Sequence, residues 1–367
     1  MKKLDRYILK KYFTTFFFSI FLFTIIAVVV DVSEKTDDFV KSGFDFWGIV
    51  MNYYIGFVPY IIALLFPLFV FISVIFFTSK MANKSEFVAM LASGTSFQRM
   101  LLPYWVGGIS LSLLLLFAAN FVIPRANEIR TDFEAKYVDK LSSYTPLNGQ
   151  LNKRDLYFRI DSFTYAGVKG YDTALKSGGP FFMQRLKGDT LVYNLRAEYI
   201  RWDTTKGLNK WVLDRAFERH INGLKENVVA TTKKEMNFNF KPFDLSHDEY
   251  AKDKLTTPQL MQFIQLEQLR GSENVNELEV EKWRRYATPF AVIILTLIGA
   301  IVATKKVRGG SGMHIAMGLI LALAFILMDR FSTVFSAKGS LPPVIAAWLP
   351  DFVFGWVAFY LFKKAPK

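Results

Sequence analysis

The sequence contains no cysteine among its 367 residues, so disulfides and thiolate chemistry are excluded. Its three histidines, His220, His247 and His314, are far apart and fit no H-E-x-x-H pattern, so no metal site is predicted. The sequence also lacks a G-x-x-x-x-G-K-[ST] nucleotide loop and a G-x-S-x-G nucleophile elbow. The glycine-rich run 309–312 lacks the lysine and the preceding strand, and is interpreted as a flexible link. This chain is therefore not predicted to be an enzyme.

The sequence also lacks a basic run interleaved with aromatic residues, although its formal net charge is +13. Nucleic-acid binding is therefore not indicated. Apolar residues, in contrast, are abundant. Hydrophobic residues make up 52% of the chain, and phenylalanine alone occurs 37 times, which is typical of a membrane protein.

Six apolar stretches are each close to the ~20 residues that cross a bilayer as a helix. They lie at residues 12–32, 57–79, 100–123, 287–304, 313–331 and 344–362. Residues 1–11 are basic and amphipathic, and they predict an interfacial helix that leads into the first span. The predicted fold class is a helical membrane protein with three plus three spans around an inserted domain.

Lysine and arginine crowd one side of these spans. The first 11 residues carry five of them, and the links after the second and fourth spans and the C-terminal tail carry more. The opposite loop, 31–56, is mainly acidic. The positive-inside rule then places both termini in the cytoplasm and the large insert outside it.

The insert between the third and fourth spans has the pattern of a separate all-β domain. Alternating apolar residues predict strands at 155–161, 190–195 and 210–217, with turns at Gly178-Gly179-Pro180, Lys206-Gly207 and Asn222-Gly223. These short strands indicate an antiparallel sandwich or jelly roll. Helices are predicted from Thr257-Pro258 and over 274–285. The predicted division is 1–124, 125–285 and 286–367.

A short stretch, 83–94, links the second and third spans on the basic side. Asn83 is a candidate N-cap with Glu86 as its capping-box partner, and Gly94 is a candidate helix stop. Phe87, Val88, Met90 and Leu91 form an apolar stripe at helical spacing. This helix either presses on a partner protein or is a connector that lies on the lipid headgroups.

Charged residues near the ends of two spans form a second candidate site. Asp31, Glu34 and Lys35 follow the first span, and Asp329 and Arg330 end the fifth. One interpretation is a polar rim around a cavity that accepts the charged headgroup of an amphiphile. The alternative is that these residues mark the water interface, with Asp329 and Arg330 pairing locally.

Four segments resemble the LptF/LptG permease family of the lipopolysaccharide transport exporter, and the likeness extends over nearly the whole chain. They are the opening Leu4-Asp5-Arg6-Tyr7-Ile8, the stretch from Ser85 to Gly94, Trp283 through Pro289, and Pro342 through Pro350. The stretch from Ser85 to Gly94 resembles the family's cytoplasmic coupling helix and is the most specific match. The first, second and last of these segments look closer to LptG sequences than to LptF sequences.

The resemblance implies a periplasmic β-jellyroll, a second permease of the same family and two LptB-like ATPase subunits that bind ATP and Mg. It also implies LptC-like and LptA-like periplasmic proteins as a bridge, and lipopolysaccharide as the substrate drawn from the inner membrane. The residues matched to ATPase coupling are Ser85, Glu86, Phe87, Met90, Leu91, Ser93 and Gly94. By the same resemblance, the first and fifth spans form lateral gates, and the jelly-roll interior covers the lipid.

One position departs from the family pattern. Where LptG proteins can carry a basic residue near the outer end of the first span, the aligned residue here is Asp31, so a headgroup-phosphate contact does not carry over to it. In the expected mechanism, the 83–94 helix docks in an ATPase groove through its apolar stripe, and the second and third spans transmit its movement. The competing hypotheses are a membrane scaffold or sensor with an extracytoplasmic β-domain, and an ABC permease that signals without moving lipid.

Overall fold

The computed structural model describes residues 3–138, 154–161, 163–172, 175–188, 190–203, 210–223, 225–238, 240, 242, 251–270, 272, 274–304 and 310–364. The chain divides into two compact units. The first comprises Met1–Tyr137, Lys252–Met261 and Asn276–Lys367, and the second comprises Val138–Ala251 and Gln262–Val275.

The first unit is helical. Its elements begin with α1 (Lys3–Ser42), α2 (Phe46–Ile49), α3 (Ile55–Asn83), α4 (Glu86–Ala92), α5 (Phe97–Phe117) and α6 (Ile123–Phe133). They continue with α7 (Ala251–Lys254), α8 (Thr257–Arg270), α9 (Val275–Ala303), α10 (Gly310–Ala337) and α11 (Pro343–Lys363). Of these, α7, α8 and α9 each contain residues of both units. Three π-helical turns, Val50–Tyr54, Ala118–Val122 and Glu134–Val138, join or extend these helices.

Among the described residues, six helical segments are long and apolar enough to cross a membrane, which confirms the predicted spans. They are Lys3–Ser42, Phe46–Asn83, Phe97–Val138, Val275–Ala303, Ile315–Ala337 and Pro343–Lys363. Most run well past the predicted apolar stretches, because a helix can continue into water where its side chains are polar.

The N-terminal residues do not form a separate interfacial helix. Residues from Lys3 onward belong to α1, which continues for 40 residues, about 60 Å. No glycine or proline interrupts the sequence before Gly43, which ends the helix region at a φ of +74°. The basic segment and the first span are therefore one rod, about twice the ~30 Å thickness of the hydrocarbon core.

Four spans cross at a polar contact in the core of the first unit. Tyr12 of α1 and Thr296 of α9 are both buried, and their hydroxyl oxygens lie 2.8 Å apart. Gly107 of α5 lies against the Tyr12 ring, and an added Cβ there would approach the ring to 2.4 Å. Phe77 of α3 stacks on the Tyr12 ring at a centroid distance of 5.6 Å. This glycine is required by the close helix crossing.

The second unit contains an antiparallel sheet, so the predicted inserted all-β domain is confirmed. The strands are β1 (Arg154–Asp161), β2 (Thr164–Tyr171), β3 (Ser177–Gly178), β4 (Phe181–Lys187), β5 (Thr190–Asp203), β6 (Lys210–Asn222) and β7 (Lys225–Met236). The described strands run in the order β1-β2-β4-β5-β6-β7, with β3 beside β5. The strand order is therefore a meander.

The predicted strands at 155–161, 190–195 and 210–217 lie within β1, β5 and β6. The hairpin predicted at Asn222-Gly223 joins β6 to β7, with Asn222 paired with Lys225 and Gly223 at a φ of +62°. The turn predicted at Lys206-Gly207 lies outside the described residues.

Aromatic side chains fill the inner face of this sheet. Trp211 and Phe181 are fully buried, and Trp211 donates a hydrogen bond from Nε1 to the carbonyl oxygen of Phe240, 2.9 Å away. Phe238 and Phe240 stack on each other, and Phe238 also contacts Phe181. The expected lipid route through the domain interior would therefore require these side chains to move.

Candidate functional site

The short helix predicted between the second and third spans is present as α4, but it begins later than expected. Asn83 is the last residue of α3 and not an N-cap. The chain reverses at Ser85, whose φ is +59°, and α4 starts at Glu86 without a side-chain cap. Because Ser85 occupies the left-handed region, the backbone geometry does not support the capping box that the Asn83–Glu86 spacing suggested.

The other end of α4 agrees with the prediction. Gly94 has a φ of +83°, and its N–H donates to the carbonyl oxygen of Leu91 at 2.9 Å. The N–H of Thr95 donates to the carbonyl oxygen of Met90 at 3.4 Å. These two bonds form a Schellman motif, which is the glycine stop that the sequence predicted.

The apolar stripe of α4 faces inward. Phe87 is buried in the largest hydrophobic cluster of the first unit, and Met90 and Leu91 pack against the same cluster. Val88 is 57% exposed, and Ala89, Ala92 and Ser93 are also exposed. The expectation that the whole stripe docks on a partner therefore needs correction. An amphipathic pattern shows which face is buried, but not against which protein.

Polar contacts tie α4 and the start of α5 to the first turns of α1. The Glu86 carboxylate accepts a hydrogen bond from the Tyr7 hydroxyl at 3.0 Å and pairs with Lys11 at 3.2 Å. Asp5 is 2% exposed, and both of its carboxylate oxygens accept hydrogen bonds from the Arg99 guanidinium at 2.8 Å. This bidentate geometry is the strong, orientation-specific form of an ion pair.

At the far end of α1, Asp31 and Lys35 belong to a buried cluster that we call the far cluster: Asp31, Lys35, Tyr53, Tyr54 and Glu134. Lys35 pairs with Asp31 and with Glu134, each at 2.9 Å. The Tyr53 hydroxyl contacts the carboxylates of both acids, and the Tyr54 hydroxyl donates to Asp31 at 3.1 Å. Asp31 and Lys35 are therefore engaged within the chain, whereas the neighbouring Glu34 is exposed.

The far cluster continues to α3 through Arg130. Its guanidinium pairs with Glu134 at 2.8 Å and lies 3.9 Å from the centre of the Tyr60 ring. The sequence did not indicate Tyr53, Glu134 and Arg130 as site residues, because they lie 18 to 99 residues from Lys35. These contacts form only when three helices pack together.

A charged cavity of about 340 Å³ lies among α3, α5, α6, α7, α9 and α10, all within the first unit. Its ionisable lining residues are Lys252, Asp253, Glu277, Glu281, Arg284, Arg285 and Arg330. Thus four basic groups face three acidic ones. Burial raises the pKa of the Asp253 carboxyl, against the lowering effect of neighbouring basic groups.

Asp329 and Arg330 do not pair with each other, so the local pairing included in one of the two interpretations is not found. Asp329 binds Arg284 of α9 at 2.9 Å, and Arg284 also donates to the Thr333 hydroxyl at 2.7 Å. Successive helical residues point in different directions, so Arg330 faces the charged cavity instead. Within the part of the chain that the structure describes, Arg330 makes no ion pair, and Nε of Arg284 has no hydrogen-bond partner.

An apolar groove of about 700 Å³ runs along α1 and α3. Its lining consists of Phe17, Ile20, Phe21, Thr24, Ile25, Val28, Val29, Val58 and Ile62. Between Ile20 and Asp31, no residue of α1 is buried. The middle of α1 is thus open on an apolar side, while both of its ends are held by ion pairs.

Comparison with known proteins gives a consistent family match. A family model described as lipopolysaccharide export system permease LptF/LptG matches residues 6–364. The chain is 21% identical over 377 residues to the lipopolysaccharide export system permease protein LptG of Escherichia coli K12. That alignment covers 98% of each of the two chains. It is 20% identical over 365 residues to the protein of the same name from Haemophilus influenzae, again over 98% of each chain.

Proposed function

Since the chain belongs to the lipopolysaccharide export system permease family LptF/LptG, we propose that it is the permease subunit of an ABC transporter that extracts lipopolysaccharide from the inner membrane. The family is a permease component, and six apolar helices make this chain a multi-pass inner-membrane protein. In this proposal, a second LptF/LptG-type permease completes the pathway. LptC-like and LptA-like proteins receive the lipid on the periplasmic side.

The observation that carries the substrate proposal is the charged cavity. Lipopolysaccharide combines an anionic headgroup with several acyl chains. Arg330 and Arg284 offer donors that no described residue occupies, at a wall where four basic side chains meet. Guanidinium groups bind phosphate in a bidentate manner and are the preferred protein ligands for such headgroups.

The acyl chains need a second, apolar surface. The groove along α1 and α3 presents almost only apolar side chains. Leaving acyl chains in water would cost ~0.8 kcal/mol for each exposed CH₂ group. We assign the groove and the poorly buried faces of α1 and α10 to the lipid path, which the second permease would enclose.

ATP and Mg²⁺ are assigned to two LptB-like partner ATPases. The exposed face of α4, formed by Val88, Ala89, Ala92, Ser93 and Gly94, is the proposed docking surface. Phe87, Met90 and Leu91 hold this face in place from inside. The basic residues around α4 and at both termini support a cytoplasmic location for this surface, which leaves the β-domain in the periplasm.

Co-purification tests this function. The chain is expressed with the ATPase and second permease encoded in the same genome, purified, and examined by mass spectrometry for bound lipid. We expect a complex containing both proteins and lipopolysaccharide. A complex with the ATPase but no lipid would favour an ABC permease that signals, and the absence of ATPase would favour a scaffold or sensor.

A further inference from the structure

The first three turns of α1 contact the segment that contains α4, although they lie more than 70 residues away from it in the sequence. Glu86 at the start of α4 is held by Tyr7 and Lys11. Arg99, five residues after Gly94, is held by Asp5. Both ends of the 86–99 segment are therefore held to α1 by hydrogen bonds and ion pairs.

The burial of Asp5 makes this linkage specific. A carboxylate that is 2% exposed is costly to desolvate, and its bidentate pair with Arg99 offsets that cost only in one geometry. Between the two polar links, Phe87 packs in one hydrophobic cluster with Ile8 and Phe97. Charged and apolar contacts thus fix the same three elements, α1, α4 and α5.

A displacement at one end of α1 can reach the other end because α1 is a single uninterrupted helix. The rod extends from Asp5 to Lys35, where the far cluster holds it to Tyr53 and Glu134. Its middle borders the apolar groove. A movement of α4 that carried α1 along would therefore change the groove directly, without first bending α3 or α5.

We propose that Asp5 and Arg99 are positioning residues that make α1 move together with the coupling helix α4. The movement that the ATPase causes in α4 then reaches α1 directly. This inference rests on the proposed function and adds a transmission route to it. It also predicts that, when α1 is separated from α4, the ATPase stays bound and hydrolyses ATP, but each ATP moves less lipid.

Distance measurements in the assembled complex test this route. Since the chain has no cysteine, spin labels can be placed at Lys10→Cys on α1, Lys84→Cys two residues before α4 and Phe359→Cys on α11, which all replace exposed residues outside the proposed docking surface. With and without nucleotide, we expect the Lys10–Lys84 distance to stay constant within about 1 Å. The Lys10–Phe359 distance is expected to shift by at least about 2 Å.

The Asp5→Asn variant keeps the shape of the side chain and removes its charge. We expect its Lys10–Lys84 distance to become nucleotide-dependent, and the ATP hydrolysed per lipopolysaccharide released from proteoliposomes to rise several-fold. Arg99→Lys, which removes the bidentate geometry, should change both readouts in the same direction. Arg6→Gln, an exposed neighbour in the same turn, is the matched control and should change neither.

A nucleotide-dependent Lys10–Lys84 distance in the chain without Asp5 or Arg99 substitutions would overturn the inference. So would Asp5→Asn and Arg99→Lys proteins with an unchanged ATP-to-lipid ratio. Failure of the proposed function itself looks different, since the unsubstituted chain would then purify without the ATPase or without lipopolysaccharide.

Discussion

Arg284 of α9 binds Asp329 of α10 at 2.9 Å, and this pairing leaves the adjacent Arg330 directed at the charged cavity without an ion-pair partner among the described residues. Two adjacent residues of α10 thus have different roles. Asp329 fixes the packing of two spans, whereas Arg330 is available to an anionic ligand.

Arg330→Gln should weaken lipopolysaccharide binding to the purified permease complex by about ten- to a hundredfold. A hydrogen bond to a charged group contributes about 1.5–3 kcal/mol, and the substitution removes it. Binding can be measured by titration with fluorescent lipopolysaccharide. Lys338→Gln, which changes an exposed lysine beyond the cavity, is the control. Equal affinities for the two variants would argue against a headgroup contact at Arg330.

Lys35→Met should destabilise the protein by about 3 kcal/mol, because the substitution leaves the buried carboxylates of Asp31 and Glu134 without their shared cation. Thermal unfolding in detergent should show a lower midpoint than for Lys41→Met, which changes an exposed lysine in the same helix. Adding Glu134→Gln to Lys35→Met should recover part of the loss. A midpoint equal to that of the control would contradict the clustered geometry.

Gly107→Ala should lower the unfolding midpoint, at a cost of about 1–3 kcal/mol, since the new methyl group would meet the Tyr12 ring at 2.4 Å. Gly355→Ala is the matched control in another span, where the nearest atom outside the helix, on Ile294, is 3.8 Å from the added Cβ. Alanine there should be neutral or slightly stabilising. If both variants behave alike, the close crossing of α1 and α5 is not present.

Two substitutions in α4 should have different effects. Ala89→Arg adds bulk and charge to the exposed face, so it should reduce ATPase co-purification while the unfolding midpoint stays unchanged. Phe87→Ala removes a buried ring and should lower the midpoint, at a cost of about 3–5 kcal/mol. The reverse pattern, with Phe87→Ala affecting only ATPase binding, would restore the apolar stripe as the docking surface.

The β-domain should lose protection in acid through Glu218. Burial raises the pKa of the Glu218 carboxyl, but the ion pair with Lys234 and the Tyr193 hydroxyl outweigh burial and hold this pKa below its ordinary value of 4.5. The unfolded chain therefore takes up the proton first. The stabilising contribution is complete above pH ~4.5 and is lost as the pH falls through the lower folded value.

Hydrogen exchange of β6 and β7, corrected for intrinsic rates, measures this loss of protection. Glu218→Gln should flatten the acid dependence, whereas Glu226→Gln, which breaks an exposed pair with Arg219, should not. An identical acid profile for Glu218→Gln and the unsubstituted chain would exclude this role.

The spans and the inserted strands could be predicted because both depend on local patterns, namely apolar length and alternation. The contact of Asp31 with Tyr53 and that of Asp329 with Arg284 could not, since they join residues 22 and 45 positions apart. The start of α4 was missed because a left-handed Ser85 overrode the capping-box spacing. The orientation of Phe87 was missed because periodicity identifies a buried face but not its partner.

The central claim is that this chain couples ATP hydrolysis to lipid movement. Release of lipopolysaccharide from proteoliposomes measures that coupling directly. This chain is reconstituted with its partner permease and ATPase, and transfer of fluorescent lipopolysaccharide to a soluble acceptor is followed over time. We predict release that requires ATP, requires this chain and falls strongly with Ala89→Arg. Release that continues without this chain, or ATP hydrolysis with no release, would contradict the account.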